Sequence, residues 1–291
     1  MEALNGNSLE NGGNPKRSRF SPPRFVFAGD RQIAVDALAY LCSQDARPLG
    51  LILPDRATGS HAGALLDLCR HLPDTRLWFG PQFQTQDAIE TLRSLDLDYI
   101  ICVHFQSIVP SSVLRIPARG VLNLHPAYLP YNRGWHTSIW TILNNSPFGA
   151  TLHFMSEDLD AGDIVHQKLL AVNPEDTGHT LYQRVLQLEL EVFREAWPSL
   201  ADYSYVRKPQ LHKSATAHKR KDLFLSGIQE IDLNQVLLAR DLINRLRAFT
   251  TDRPEEALFF TIDGCRYRVQ IKISKEAQAE ARTSAFEAAG A

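Results

Sequence analysis

The sequence predicts an α/β fold on a mostly parallel sheet, with a small α+β appendage at its C-terminal end, and three observations predict it. Short apolar runs of strand length alternate with helix-period segments through the first 200 residues. Strands joined by crossover helices form right-handed βαβ units, which build parallel sheets. Beyond about Ala201 the alternation stops, and two alternating runs flank Asp263-Gly264, a dipeptide suited to a tight hairpin turn.

Met1 to Pro23 is polar and rich in Asn, Gly, Ser and Pro. It cannot bury enough surface to offset its ordering entropy and is expected to be a disordered leader. Its cluster Pro15-Lys16-Arg17-Ser18-Arg19 reads as a solvated charge run. Residues 24–200 are expected to form the main domain. Arg24 to Ala28 is a strand running into Gly29-Asp30, and Ile33, Ala34, Ala37, Leu38 and Leu41 then recur at helix spacing. Leu49 to Leu53 is a strand, His61 to His71 a helix, Arg76 to Phe79 a strand, Thr85 to Leu95 a helix and Tyr99 to Val103 a strand. The Gly29 turn lacks the three-glycine dinucleotide fingerprint and a Gly-Lys-Ser/Thr ending, which argues against nicotinamide or ATP binding.

Gly120 to His125 reads as a strand carrying two polar side chains. Positions two apart share a face, so Asn123 and His125 project together while Leu122 and Leu124 pack on the other side. Trp135 to Leu143 looks helical and Ala150 to Met155 extended. Ser156 to Asp163 forms an acidic loop, Ile164 to Val172 a strand, and His179 to Trp197 a long amphipathic helix. Residues 201–291 hold a basic stretch, a helix around Asn234 to Phe249, and strands at Ala257 to Ile262 and Cys265 to Ile273. Lys275 to Ala291 is either a frayed helix or disordered.

Composition narrows the function classes. A net charge of −2 creates no field that gathers polyanions, so no nucleic-acid partner is expected. The exception is Arg207 to Lys221, with six Lys or Arg, two His and no acid. It is either a phosphate-binding element or a soluble linker. Cys42, Cys69, Cys102 and Cys265 lie far apart and read as buried thiols, so no metal site is expected. No apolar run reaches membrane-spanning length and no signal segment is evident, so the cytoplasm is the expected location and no membrane partner is expected.

Asn123, His125 and Asp160 form the candidate reactive trio. An amide can donate to a developing oxyanion without changing charge, a neutral imidazole can take a proton near neutrality, and a carboxylate can hold the resulting imidazolium or a relaying water. Singly, each is an ordinary structural residue. Around them, however, Asn123-Leu124-His125-Pro126 continues into Leu129-Pro130 and Arg133-Gly134, and Leu159-Asp160-Ala161-Gly162-Asp163 follows, with Asp160 35 residues after His125. From Phe25 to Trp197 the chain resembles the folate-dependent formyltransferases. That family includes glycinamide ribonucleotide, methionyl-tRNA and sugar N-formyltransferases.

The resemblance implies a Rossmann-like catalytic domain, 10-formyltetrahydrofolate as formyl donor, and catalytic roles for the matching Asn123, His125 and Asp160. It places the pterin on two loops, which assigns Phe105, Gln106, Ile108 and Val109 on one side and Ser156 and Asp158 on the other to donor binding. The run from His125 to His136 looks most like the sugar N-formyltransferases, which act on nucleotide-linked amino sugars such as dTDP-4-amino-4,6-dideoxyglucose. It lacks the His-Gly-Ser-Leu-Leu-Pro of the methionyl-tRNA enzymes. Tyr131 and Trp135 offer flat surfaces, Asn132 can bond hydroxyls, Arg133 can meet phosphate oxygens, and Gly134 completes the loop, so all five are assigned to acceptor binding. The C-terminal hairpin is expected to form a homodimer or to complete the pocket. A methionyl-tRNA formyltransferase and a non-catalytic folate or nucleotide binder remain the alternatives.

Overall fold

A computed structural model describes residues 22–55, 59–210, 215–225 and 227–276. The expected disordered leader lies almost wholly outside these residues, as does most of the Ala-rich end. In chain order the elements are β1 (Phe25–Gly29), α1 (Arg31–Ser43), β2 (Leu51–Leu53), α2 (Ala62–Leu68), β3 (Leu77–Phe79), α3 (Gln86–Ser94), β4 (Tyr99–Val103), α4 (Ser111–Leu114) and β5 (Gly120–His125). There follow β6 (Arg133–Gly134), α5 (Thr137–Asn144), β7 (Gly149–Phe154), β8 (Ile164–Leu169) and α6 (Gly178–Ala201). The C-terminal part holds β9 (Ala217–His218), α7 (Asp222–Leu225), α8 (Ala239–Ala248), β10 (Leu258–Ile262) and β11 (Cys265–Val269).

Seven strands form the central sheet in the order β3-β2-β1-β4-β5-β7-β8. The first five are parallel, while β7 runs antiparallel to both β5 and β8. Between β1 and β4 the chain switches direction across the sheet. Helices leave such neighbouring strands on opposite faces, which opens a crevice at the strands' carboxyl ends.

Strand residues divide by parity between the two faces. Phe25, Phe27, Ile101, Leu122 and Leu124 join α1 and α6 in the larger core, and Val26, Ile100, Cys102 and Val121 join α3 on the other face. Burial on both faces explains why β1 and β4 are apolar throughout. The long helix α6 inserts Leu181, Val185, Val192 and Phe193 into the larger core at helical spacing. Each fully buried side chain of this size contributes about 1.5–3 kcal/mol. The Thr177 hydroxyl caps α6 by accepting from the Thr180 N–H. The helix continues past Trp197 to Ala201, because Pro198 leaves the turn beyond it intact and its carbonyl accepts from Asp202.

One of the two readings of the basic stretch requires correction. The stretch beginning at Arg207 is no free linker where it is described. Arg207 lies over the Phe154 ring at 3.6 Å, Lys208 exchanges main-chain hydrogen bonds with Ile164, and β9 pairs in parallel with β6. The appendage packs on the main domain. Ala248, Phe249 and Leu258 join the larger core, His179 donates to the Thr250 carbonyl, and Arg247 donates to the carbonyls of Asn173 and Asp176.

The β10–β11 hairpin forms as expected, in one register across Leu258↔Val269 to Ile262↔Cys265. Its outer residues are uncovered, and Cys265 is therefore exposed where the sequence suggested burial. All four cysteines are free thiols. Among the described residues, no helix is long and apolar enough to cross a membrane, and no cluster of metal-ligating side chains occurs.

Candidate active site

The side chains of Asn123 and His125 face the same side of β5, opposite Leu122 and Leu124. The antiparallel register sets His153 of β7 directly across from Asn123. Asp160 arrives on the β7–β8 loop, and its carboxylate points back to the strand. Asn123 Nδ2 lies 3.3 Å from Asp160 Oδ1 and 3.2 Å from His153 Nε2. The Phe154 carbonyl is 2.9 Å from His153 Nδ1, so Nδ1 is the protonated nitrogen and Nε2 accepts from the Asn123 amide. The Gly134 N–H donates to Asp160 Oδ2 at 2.9 Å. His125 Nε2 stands 3.6 Å from that same oxygen, is buried, and has no hydrogen-bond partner.

These surroundings set the protonation states. Burial pushes the His125 pKa below its ordinary value, partly opposed by the Asp160 charge, so the imidazole is neutral near pH 7. Burial alone would raise Asp160, but the positive charge His125 carries when protonated and the Gly134 N–H outweigh it, and the carboxyl is held below the usual range. The trio therefore presents a neutral imidazole with an open nitrogen, an ionised carboxylate beside it, and an amide held by two neighbours.

The trio lines a cavity of about 460 Å³. Its lining includes Phe105, Gln106, Ile108 and Val109 and, from the β7–β8 loop, Met155, Ser156 and Asp158. Ile108 is 87% exposed, an apolar side chain left uncovered in this lining. The lining also includes Gly134, Trp135, Arg31, Tyr182, His179 and the Thr251–Arg253 segment. The C-terminal part thus completes the pocket wall. All six residues expected at the donor line this cavity.

The acceptor loop is divided. Gly134 and Trp135 line the cavity, whereas Tyr131, Asn132 and Arg133 do not. Tyr131 donates its N–H to the Tyr128 carbonyl in a turn. Asn132 is 1% exposed, and its amide donates to the Thr141 and Ser146 hydroxyls, tying the loop to α5. Arg133 is buried and donates through Nε and Nη2 to Gln210 Oε1, at 3.1 and 2.6 Å. The expected ligand contacts of Asn132 and Arg133 give way to internal ones, while Tyr131 is half-buried outside the cavity lining. Gly134 has φ +90°, and a Cβ there would collide with the His218 carbonyl.

Several site residues went unseen in the sequence. His153 carried one usable signal, a lone imidazole within a buried strand whose other polar side chain is Thr151. At the switch point, His104 Nε2 meets both carboxylate oxygens of the fully buried Glu189, at 2.9 and 3.1 Å. The Tyr182 hydroxyl lies 3.3 Å from His104 Nδ1 and accepts from Arg31 Nη1 at 2.6 Å. This chain of hydrogen bonds couples the ends of β1 and β4 to α6 and anchors Arg31, which lines the cavity. Burial pushes the Tyr182 hydroxyl up to about 12 and keeps it a neutral link. Arg31 and His104 both hold left-handed backbone, φ +68° and +51°, a conformation that few non-glycine residues adopt.

Known proteins resemble this chain in sequence and fold. Residues 11–197 match the formyl transferase family and residues 225–275 the N-formyltransferase dimerization C-terminal domain. A dTDP-4-amino-4,6-dideoxyglucose formyltransferase of Mycobacterium bovis is 29% identical over 184 residues, 63% of this chain and 76% of that protein. A methionyl-tRNA formyltransferase of Myxococcus xanthus is 28% identical over 270 residues, 90% of this chain and 80% of the relative. Among solved structures, an N-formyltransferase from Helicobacter canadensis, in complex with folinic acid and dTDP-3-aminofucose, superposes with a TM-score of 0.59. That pair is 21% identical, covering 83% of this chain and 85% of the other. With its catalytic domain and its C-terminal domain both matched, the chain belongs to the formyl transferase family.

Proposed function

We propose that the protein transfers a formyl group from 10-formyltetrahydrofolate to the amino group of a nucleotide-linked amino sugar, a dTDP-4-amino-4,6-dideoxyhexose being the acceptor class. The observation that carries this reading is the buried, unpartnered His125 Nε2 beside Asp160 and Asn123 in the lining of one cavity. The donor's flat ring suits the part of the lining formed by Phe105, Ile108 and Val109 beside polar main chain. The Helicobacter relative holds a folate and a dTDP-amino sugar, which supports a cavity that takes both a donor and a sugar acceptor.

In this mechanism a neutral amine attacks the formyl carbon. As the C–N bond forms, the carbonyl oxygen becomes an oxyanion, and the Asn123 hydrogen directed at Asp160 turns to meet it. His125 accepts the proton released by the amine, and Asp160 stabilises the imidazolium. Collapse of the intermediate breaks the bond to the folate nitrogen, which takes up a proton, leaving a formamide and tetrahydrofolate. An oxyanion donor of this kind contributes about 3 kcal/mol, and proton transfer roughly 100- to 10,000-fold in rate.

For the acceptor, Trp135 offers a flat surface in the cavity lining, and Arg31 and Arg253 supply positive charge for a diphosphate. Val236 and Leu238, 96% and 72% exposed in the matched C-terminal domain, suit burial between two copies of the chain. The Myxococcus relative supports a second acceptor, methionyl-tRNA. Incubating the protein with 10-formyltetrahydrofolate and either dTDP-4-amino sugars or methionyl-tRNA, with products weighed by mass spectrometry, decides between them. A formylated tRNA beside untouched sugars would overturn the sugar assignment.

A further inference from the structure

Asp160 is held from two directions by two consecutive residues. Gly134 binds its carboxylate directly, through the main-chain N–H at 2.9 Å. Arg133 acts one step removed, with both its Nε and Nη2 given to Gln210 Oε1. Gln210 Nε2 in turn donates to the main-chain carbonyls of Asp160 and Gly162, at 2.8 and 2.7 Å. Arg133 and Gln210 are 8% and 6% exposed, so this polar chain is enclosed within the protein. Asp160 itself adopts φ +46°, a backbone conformation that needs support from its surroundings.

We infer that Arg133 and Gln210 form a brace whose task is to fix the Asp160 carboxylate against His125 and Asn123. Gln210 is 50 residues beyond Asp160, on the stretch that follows α6 and leads to β9. The brace therefore ties the reactive loop to the start of the C-terminal part. The guanidinium fork fixes the orientation of the Gln210 amide, because a planar pair of donors meeting one oxygen leaves the amide nitrogen facing the two carbonyls. With both carbonyls held, the loop cannot drift from β5. A displacement of about 1 Å at such a group costs on the order of 100-fold in rate. Arg133 and Gln210 are positioning residues in this scheme, since their contacts are to protein and they do not line the cavity.

The inference rests on the catalytic role of Asp160 in the proposed function, and the test separates the two. Gln210→Glu keeps an acceptor for Arg133 but can no longer donate to the Asp160 and Gly162 carbonyls. Arg133→Lys keeps the charge but offers a single point in place of the fork. Each is assayed with 10-formyltetrahydrofolate and whichever amine the wild type formylates, over pH 5 to 8, alongside thermal denaturation and Asp160→Asn as reference.

For Gln210→Glu we expect a 10- to 100-fold fall in kcat with both KM values within about threefold. The acid limb of the kcat profile moves to lower pH, because His125 loses the support of a nearby carboxylate. For Arg133→Lys we expect a smaller loss with the same signature. Unchanged kcat in both variants overturns the brace. So does a raised acceptor KM at normal kcat in Arg133→Lys, which would place that residue at the acceptor's phosphates. A kcat loss that follows thermal stability, with the acid limb unmoved, also overturns it. If Asp160→Asn retains turnover, the functional reading fails; if Asp160→Asn is impaired and the brace variants are not, the brace alone fails.

Discussion

Replacing Asp160 with Asn removes one charge while keeping nearly the same shape, and the geometry gives the size of the effect. In the transition state His125 gains a positive charge 3.6 Å from Asp160 Oδ2. At an effective dielectric constant of about 20, that separation corresponds to about 4.6 kcal/mol, an upper bound before relaxation and residual solvation. A loss of about 3–4 kcal/mol lowers kcat by roughly 100- to 1,000-fold. The substitution also sets an amide against either the Gly134 N–H or the Asn123 amide, two donors that now meet a third.

The pH dependence has a definite sign. Asp160 favours the protonated imidazole, so its removal lowers the His125 pKa further, and the acid limb, already below about 6.5, moves to lower pH. Steady-state turnover at saturating donor and acceptor from pH 5 to 8 measures both effects. A kcat within threefold of wild type, or an acid limb moved to higher pH, would refute this reasoning.

Two further substitutions test the framework around the site. Burial lowers the His136 pKa from 6.5 to about 4, so stability from this group is intact above pH 6.5. It falls by about 3 kcal/mol as the pH drops from 6.5 to 4, where the unfolded chain binds a proton that the folded one refuses. Asn tolerates the left-handed backbone at this position, φ +58°, so His136→Asn should flatten that part of the stability profile in denaturant titrations, and an unaltered slope would contradict the assignment. A Cβ at Gly162 would strike the Phe154 carbonyl, so Gly162→Ala must move the Asp160 loop. We expect a loss of about 2–3 kcal/mol in chemical denaturation together with reduced kcat, and wild-type values of both would show that the loop is not tightly seated.

The features legible in the sequence are those set by local periodicity. The alternation from Phe25 to Val103 specified a parallel sheet, because strands buried on both faces must be apolar throughout. Asn123 and His125 stood out for the same reason, as polar interruptions two residues apart in such a strand. Boundaries set by tertiary contacts were misplaced. The expected end of α6 at Trp197 gave way to Ala201, since Pro198 sits where its ring does not break the final turn. The expected helix from Asn234 began only at Ala239.

Residues whose partners are remote in the chain were the least readable. Arg133 in a polar loop resembles a ligand contact until Gln210, 77 residues later, is found to occupy its guanidinium. His104 and Glu189 are 85 residues apart and form one buried pair. His153 acquires meaning only from the antiparallel register that faces it to Asn123. The basic stretch from Arg207 illustrates the same limit, because composition counts its charge but does not show that the Arg207 guanidinium is spent on the Phe154 ring and the Arg119 carbonyl.

The central claim is that His125 is the proton acceptor for formyl transfer. It is tested most directly by the turnover of His125→Ala against wild type, with saturating 10-formyltetrahydrofolate and amino-sugar nucleotide and with donor affinity measured in parallel. The account requires a fall in kcat of at least roughly 100-fold with donor binding retained. Near-normal turnover would contradict it.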